Sequence, residues 1–393
     1  MPQTGRRARG PSLSTRLDRA RTLARDATDG QEATALAYFP RPSSNPFQTV
    51  LYGHLWERGI APVDVKDVDE IAWLAAQATE AGRLAFHLHW TYPILRGVSD
   101  AHEADVRVDR FLRYLEQLTD ADIPLIWTVH NVLPHDCQYV HAETRLRRGI
   151  ADRSTLVHTL GDVTAELTSP YYDLPAERTR AIPHPTYDGW YPTLIGREQA
   201  RADLGLGADT PTFVLVGNLR AYKGLGSLFD AFERVRASWP GRPRPRLLVA
   251  GRPFNDEARE QLRARVRELG GASIETQRIT DDRVATYLQA ADVVVLPYER
   301  ILNSGVLLAA MTYSRTTVIP RTGCLPNLVT DDTASIFEPG DVTSLAAAMA
   351  RAMSMASHPG QAERVREVAD RYHPQIVGPL FADAVEAVLV DAQ

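Results

Sequence analysis

The sequence has few cysteines, no long apolar run and no large charge imbalance. Its 393 residues contain two cysteines, Cys137 and Cys324, which lie in unrelated sequence contexts. We therefore expect reduced thiols rather than a disulfide framework. No stretch approaches the roughly 20 consecutive apolar residues that a membrane-spanning helix needs. We expect a cytoplasmic protein that contacts the inner face of the cell membrane at most peripherally.

The N-terminus and the net charge exclude further classes of protein. Several arginines near the N-terminus have no apolar core after them, so we predict neither a signal peptide nor a twin-arginine signal. We expect residues 1–32 to form a flexible or partly helical extension. The formal net charge of −5 argues against general attraction to nucleic acid. Any functional positive charge must therefore be local.

Short apolar runs alternate with longer helical patterns, which is typical of βαβ units and parallel sheets. The predicted strands are residues 33–40, 83–90, 124–131, 154–160 and 179–185 in a first series, and 212–218, 246–252, 273–279, 291–298, 316–322 and 334–340 in a second. The chain is 44% hydrophobic and is long enough for two cores. This pattern predicts two doubly wound α/β domains.

The predicted domains cover residues 33–190 and 211–372, with a linker at 191–210. Residues 373–393 are predicted to form a C-terminal helix that packs back on the first domain. Ligands of such folds bind at the carboxyl ends of the strands, in a cleft that the two domains face. Polar residues directly after strands are therefore the candidate site residues.

The segment "VGNLRAYKG" at 216–224 joins a predicted strand to a predicted helix. Gly217 permits a tight turn, and the helix start directs unpaired N–H groups towards any bound anion. Arg220 and Lys223 add two cations, and arginine binds phosphate with paired hydrogen bonds. The segment lacks the Gly-Lys-Ser/Thr end of a P-loop. It indicates either an anion site or an exposed basic turn.

Two further loops of the second domain have the same character. Asn303, Ser304 and Gly305 open an apolar helix after the strand at 291–298, and a glycine-containing loop at 321–329 precedes a short helix. Backbone amides at helix starts suit a phosphate. Three such loops in one domain favour a phosphorylated ligand over a basic turn.

The first domain carries histidines near strand ends. His87 and His89 lie on one face of a predicted strand that Trp90 ends. The pair fits either buried structural histidines or the lining of a ligand site. No third residue has the spacing of a metal ligand, so we predict no metal site.

The next strand ends in His130 and Asn131, and His135 and Asp136 follow about one helical turn later. These residues fit either turn formation and capping or substrate binding, with His130 as the substrate-binding group. His135 and Asp136 are candidate general bases because each accepts a proton near neutral pH when its pKa is suitably shifted.

On these motifs the chain resembles glycosyltransferases of the GT-B fold, which consist of two Rossmann-like domains. It is similar to the group 1, or family 4, enzymes that build bacterial exopolysaccharides, glycolipids or glycosylated metabolites. The resemblance covers about residues 33–391. It is carried by "VGNLRAYKGLGSLFDAF", "LLVAGRP", "SGVLLAAM", "VIPRTGCLPNLV" and "FEPGDVTSLAAAM" in the second domain and by "NPFQTVLYGHLWERG", "FHLHW" and "WTVHN" in the first.

The resemblance implies roles for individual residues. Lys223 and Arg220 would contact the donor diphosphate, Ser304 and Gly305 would offer amides to its distal phosphate, and His130 would lie near the transferred sugar. Asn218 stands where most relatives carry the arginine.

Two positions that are glutamates in retaining relatives are Ile301 and Ala309 here, Glu299 lies two residues before the first of them, and Asn327 replaces another frequent glutamate. Stereochemistry stays open. An inverting enzyme would use His135 or Asp136 as base, and a retaining one would use the donor phosphate and backbone groups.

The implied reaction transfers a hexose from a nucleoside diphosphate sugar, either GDP-mannose or a UDP-sugar, to a hydroxyl acceptor. The acceptor would be a glycolipid, a growing polysaccharide or a metabolite, and no cofactor or metal would be needed. Two alternatives are a nucleotide-sugar or sugar-phosphate epimerase of the same fold and a degenerate partner subunit that binds donor without transferring sugar.

Overall fold

The computed structural model describes residues 11–30, 32–41, 45–77, 83–192 and 195–391. The chain divides into two compact units. The first unit extends to Ile182 and includes the chain from Gly378 onward, and the second spans Pro183–Val377. Neither unit contains, among the described residues, a helix long and apolar enough to cross a bilayer.

The first unit is built on a six-stranded parallel sheet of order β2-β1-β3-β4-β5-β6. The strands are β1 (Thr34–Phe39), β2 (Ile60–Asp64), β3 (Leu84–Leu88), β4 (Leu125–Val129), β5 (Leu156–Thr159) and β6 (Thr179–Ala181). The helices before residue 182 are α1 (Leu13–Ala27), α2 (Phe47–Leu51), α3 (Val68–Ala76), α4 (Ala101–Asp120), α5 (Val140–Arg153) and α6 (Thr164–Thr168). The strand order reverses between β1 and β3, and we call this place the first switch point.

Strand β2 was not predicted from the sequence. It is short, contains Pro62 and pairs only with β1 at the edge of the sheet. Proline cannot donate to a ladder and is tolerated in such edge strands. Pro62 therefore interrupts the sequence pattern of a strand, although the strand forms.

The described part of the N-terminal segment contains a helix, which is one of the two expected forms, but this helix is packed on the first unit. Its helix α1 packs against β1 and β2 and buries Leu13, Leu17, Ala20 and Ala24. The Arg16 guanidinium also bonds to the Glu70 carboxylate at 2.5 Å. The apolar spacing gives α1 one buried face, so the helix is part of the first unit. Residues 1–10 and 31 of the predicted extension lie outside the described residues.

The second unit contains a six-stranded parallel sheet of order β12-β11-β10-β7-β8-β9. The strands are β7 (Thr212–Val216), β8 (Arg246–Ala250), β9 (Ala272–Glu275), β10 (Val293–Val295), β11 (Thr316–Pro320) and β12 (Ala334–Phe337). The helices are α7 (Arg197–Asp203), α8 (Leu225–Ala237), α9 (Asp256–Glu268), α10 (Asp281–Ala290), α11 (Gly305–Thr312), α12 (Val342–Ala356) and α13 (Gln361–Asp370). All six predicted strands are present, and the order reverses between β7 and β10, which we call the second switch point.

Residues just after β6 lie with the second unit rather than with the first. The Thr186 amide donates to the Tyr372 carbonyl at 2.7 Å, and the Tyr187 amide donates to Thr312 Oγ1 at 2.9 Å. These bonds explain why the division falls at Ile182, before the linker that was predicted at 191–210.

The last helix, α14 (Pro374–Asp391), belongs to the first unit from Gly378 onward. Its Phe381 ring is fully buried, 5.4 Å from the His87 ring and 5.2 Å from the His158 ring. Arg58 forms ion pairs with Asp383 and Glu386, each at 2.6 Å. This end of the chain therefore completes the core beneath the histidines of the first unit.

Candidate active site

The loop after β7 lies at the second switch point, where open α/β sheets bind ligands. Gly217 has a φ of +114°, and a Cβ at this residue would lie 3.2 Å from Lys223 Nζ and 3.6 Å from Val306 Cγ2. A glycine is required here because the ammonium group of Lys223 and the start of α11 both approach its backbone. The structure thus brings Gly217, Lys223 and the 303–306 segment together.

Lys223 is a buried cation. Only 6% of its surface is exposed, and its Nζ lies 5.2 Å from the centroid of the Tyr298 ring. Burial, and then the nearby positive charge of Arg220, lowers the pKa of the Lys223 ammonium to about 8. Within the part of the chain that the structure describes, no carboxylate lies within ion-pair distance of it. A buried charge without a partner is destabilising, so such a group indicates a site for an anion.

Arg220 stands beside the buried lysine with part of its surface exposed. Its guanidinium donates to the carbonyls of Leu219 and Arg252, each at 3.2 Å, and lies 5.5 Å from the centroid of the Phe254 ring. Asn218, next to it, is exposed. The structure therefore gives the loop one buried cation and one partly exposed cation.

Two helix starts border this loop. Helix α8 begins after Gly224, whose φ is +61°, and no side chain caps its first turn. Helix α11 begins after Ser304, whose Oγ accepts from the Leu307 amide at 3.3 Å. A Cβ at Gly305 would lie 2.6 Å from the Tyr187 hydroxyl, so that position has no room for a side chain. Asn303, just before, is half-buried.

The glycine-containing loop at 321–329 holds the segment before Asn303 in place. The Cys324 amide donates to the Leu302 carbonyl at 2.8 Å, which fixes the segment before Asn303. Glu299 is exposed, and its amide donates to the Tyr222 carbonyl at 3.1 Å. Ala309 is buried inside α11, so the position that is glutamate in retaining relatives offers no carboxylate.

The first unit carries a chain of hydrogen bonds at the carboxyl ends of β3, β4 and β5. The atoms in order are His130 Nε2 and His89 Nδ1 (3.0 Å), His89 Nε2 and Tyr52 Oη (2.6 Å), Tyr52 Oη and His87 Nδ1 (2.8 Å), His87 Nε2 and Thr128 Oγ1 (2.7 Å), Thr128 Oγ1 and His158 Nδ1 (2.9 Å), and His158 Nε2 and the Ile182 carbonyl (2.8 Å). We call this set the histidine chain.

The inner members of the histidine chain are neutral near neutral pH. Burial, followed by the proximity of other histidines, holds the pKa values of His87 and His89 well below the ordinary histidine value. Burial also lowers the pKa of His158 to about 4 and raises that of Tyr52 well above its ordinary value. Buried polar groups of this kind are stable when all of them are hydrogen-bonded.

His130 is the half-buried end of the histidine chain. Its ring stacks on Trp90, with centroids 4.0 Å apart and planes 16° apart. A small cavity of about 50 Å³ adjoins the pair and is also lined by Tyr92, Asn131 and Arg147. It is too small for a sugar ring but places aromatic and polar groups side by side.

His135 and Asp136, the candidate bases, follow His130 in the segment before α5. His135 is half-buried, and Asp136 is exposed. Sequence reasoning missed Tyr52, Thr128 and His158, which lie on three other elements. Their signal was weak, because each is an isolated polar residue within an apolar stretch.

The two six-stranded parallel sheets define the fold, which is the GT-B fold of glycosyltransferases. Anabaena HepE, solved in complex with UDP, has the same fold, with a TM-score of 0.67 at 14% identity over 90% of this chain and 100% of that one. The catalytic domain of starch synthase IV from Arabidopsis thaliana, bound to ADP and acarbose, has a TM-score of 0.66 at 11% identity over 92% and 99%.

Residues 210–355 match the family described as glycosyl transferases group 1. A GDP-mannose:glycolipid 4-β-D-mannosyltransferase of Xanthomonas campestris pv. campestris is 26% identical over 284 residues, which cover 72% of this chain and 71% of that enzyme. An α-maltose-1-phosphate synthase of Mycobacterium tuberculosis is 30% identical over 44% of this chain and 46% of that enzyme. The chain is a hexosyltransferase that uses a nucleoside diphosphate sugar, and it is similar to the group 1 enzymes.

Proposed function

We propose that the second unit binds the donor diphosphate at its switch point and that Lys223 is the central contact. The observation that carries this proposal is the burial of the Lys223 ammonium without a carboxylate partner among the described residues. A diphosphate would supply the missing negative charge. Arg220, the amides of Gly217 and Asn218, and the Asn303–Gly305 segment would complete the contacts, since backbone amides at helix starts bind phosphates.

Cleavage of the donor bond leaves negative charge on the departing nucleoside diphosphate. The ammonium of Lys223 is already fixed by burial and by the Tyr298 ring. A preorganised cation stabilises such charge without reorganisation, and this is a large term in enzyme catalysis. In this proposal Lys223 and Arg220 supply the positive charge that a divalent metal supplies in other transferases.

We propose GDP-mannose as the donor and a glycolipid as the acceptor, because the Xanthomonas relative carries these substrates in its name. The same name specifies a β-mannosyl product, and GDP-mannose is an α-glycosyl diphosphate. The corresponding reaction here inverts the anomeric centre and needs a base for the acceptor proton. His135 and Asp136 are the candidate bases, and His130 with Trp90 would contact the transferred sugar. The buried alanine at position 309 supports inversion.

A thermal-shift panel of GDP, UDP and ADP tests the donor site. A ligand that binds only the folded protein raises its melting temperature by mass action. We expect the largest shift with GDP and none with Lys223→Ala. The matched control is Lys66→Ala, because Lys66 is the only other lysine of the sequence and lies in the first unit. No shift with any nucleotide, or an unchanged shift in Lys223→Ala, would overturn the assignment.

Product analysis separates transfer from the two alternatives. Incubation of GDP-mannose with a lipid-linked acceptor should release GDP and form a β-mannoside. A new sugar nucleotide formed from donor alone would indicate an epimerase. Nucleotide binding without release of GDP in the presence of any lipid-linked acceptor would indicate a degenerate subunit.

A further inference from the structure

The histidine chain ends on a group whose hydrogen-bonding role is fixed. The Ile182 carbonyl can only accept, so His158 Nε2 must carry the proton of that 2.8 Å bond. Neutral His158 then has a bare Nδ1, which accepts from the Thr128 hydroxyl. The direction of one bond therefore dictates the direction of the next.

The same reasoning continues to the other end of the chain. Thr128 has donated its only hydroxyl proton, so its oxygen accepts from His87 Nε2–H. The bare Nδ1 of His87 accepts from the Tyr52 hydroxyl, whose oxygen in turn accepts from His89 Nε2–H. The remaining bare nitrogen, His89 Nδ1, accepts from His130 Nε2–H. Every donor meets an acceptor only in this direction.

We propose that the Ile182 carbonyl sets the tautomer of His130 through the histidine chain, with the proton on Nε2 and Nδ1 kept as an acceptor. Tyr52, His87, His89, Thr128 and His158 are then positioning residues. Resting on the proposed function, the inference adds that His130 Nδ1 accepts a hydrogen bond from a sugar hydroxyl. His130 can also take up a proton at Nδ1 without breaking any bond of the chain.

Aromatic rings make up most of the described groups that pack against the histidine chain. The groups packed against it are Tyr38 beside Tyr52, Phe381 beside His87 and His158, and Phe47, Trp90 and Arg147 around His130. Arg147 is the charged member of this set, and it is ion-paired with Glu143. A second proton on an inner histidine would place two donors face to face in a buried site, which is costly.

Substitution of Thr128 by valine should reverse part of the chain. Valine has a similar shape but no hydroxyl, so His87 Nε2–H would lose its acceptor in a buried site. His87 would regain a bond by carrying its proton on Nδ1 and donating to Tyr52. The reversal passes through Tyr52 and His89, and it leaves His130 with its proton on Nδ1.

Histidine-selective ¹⁵N labelling and long-range ¹H–¹⁵N NMR of the full-length protein report the protonated nitrogen directly. In the wild type we expect the His130 Nε2 to carry the proton and Nδ1 to be bare. Thr128→Val should exchange the two, and Thr128→Ser, which keeps the hydroxyl, should retain the wild-type pattern. A wild-type His130 protonated on Nδ1, or an unchanged His130 in Thr128→Val, would overturn the proposal.

Tyr52→Phe gives a second break in case Thr128→Val fails to fold. It removes the acceptor of His89 Nε2–H and should also move the His130 proton to Nδ1, while the His87–Thr128–His158 part keeps its direction. A purely structural role for Tyr52 would lower stability without moving that proton.

Kinetics separate this inference from the proposed function. With its proton on Nδ1, His130 would donate to the sugar hydroxyl instead of accepting from it. That hydroxyl could then no longer be oriented by an acceptor, so Thr128→Val should lower kcat/KM. Thr128→Ser should restore it, and the Kd for GDP should stay unchanged in both variants because Lys223 lies in the other unit. Failure of GDP to bind the wild type would reject the proposed function, whereas the NMR result would still decide the tautomer.

Discussion

The two switch points carry buried polar groups of opposite kinds. At the first, three buried histidines use all six ring nitrogens in hydrogen bonds and are held neutral. At the second, a buried lysine has no carboxylate partner among the described residues. In our proposal, similar parallel sheets therefore prepare one site for neutral hydroxyl groups and the other for an anion. The inner histidines of the first are fully hydrogen-bonded within the protein, whereas in our proposal the second gains its missing partner from a ligand.

Removal of the Phe381 side chain should have the largest effect on stability, because this ring packs against the buried groups of the first site. The ring is fully buried against His87, His158 and Tyr52. We expect Phe381→Ala to lower the free energy of unfolding by about 3–5 kcal/mol, measured by urea denaturation. Leu380→Ala, at the half-exposed neighbouring position, should change it by less than about 0.5 kcal/mol. Equal effects of the two variants would show that the helix does not support the histidines.

The second largest effect that we expect is a loss of stability in acid, which arises at the first site. Burial lowers the pKa of His158 to about 4 in the folded protein, so the unfolded chain binds more protons between about pH 6.5 and 4. Stability therefore falls as the pH drops through this window, by about 3 kcal/mol from His158 alone.

The measurement for this acid effect is the free energy of unfolding as a function of pH. His158→Gln should make the slope between pH 6.5 and 4 shallower by the contribution of His158, while His87 and His89 still contribute to it. His102→Gln, on the exposed face of α4, is the matched control and should leave the slope as it is. A flat wild-type profile would contradict the neutral state of the chain.

The fold was predictable from the sequence wherever a strand is buried on both faces. Strands β7, β8 and β10 of the second unit read as apolar runs, and the strand order agrees with the doubly wound class. The edge strand β2 was not predictable because Pro62 interrupts its pattern.

The two sites also differ in how far the sequence predicted them. The second is contained largely in nine consecutive residues, 216–224, so the sequence already indicated an anion site there. The first depends on register between strands, such as Thr128 opposite His158 and Tyr38 opposite His87. Single-sequence patterns do not give the register of parallel strands that are far apart in the chain. Burial of Lys223 also follows only from the folded structure.

A substitution at Gly217 tests the second switch point in the same way. Its φ of +114° and the 3.2 Å approach of Lys223 Nζ leave no unstrained place for a Cβ. We expect Gly217→Ala to lower the free energy of unfolding by about 2 kcal/mol and to weaken GDP binding. Gly226→Ala is the matched control, because a Cβ there meets nothing within 4 Å and alanine favours the helix. Retained GDP affinity in Gly217→Ala would contradict the proposed approach of the diphosphate.

The smallest expected effect is the pH dependence of donor binding at the second site. The pKa of Lys223 is about 8 without ligand, and a bound diphosphate would raise it because negative charge favours the ammonium form. Binding above pH 8 must therefore take up a proton, and the affinity for GDP should fall about tenfold between pH 7 and 9.

Isothermal titration calorimetry in buffers of different ionisation enthalpy measures both the affinity and the proton uptake. Lys66→Ala should reproduce the wild-type profile, and any binding that remains in Lys223→Ala should lose the decline above pH 8. An affinity that stays constant from pH 7 to 9 would mean that the buried ammonium is not the partner of the diphosphate. At an anion site the charge of Lys223 must respond to the ligand. Without that response, the two switch points would differ only in how their buried groups are packed.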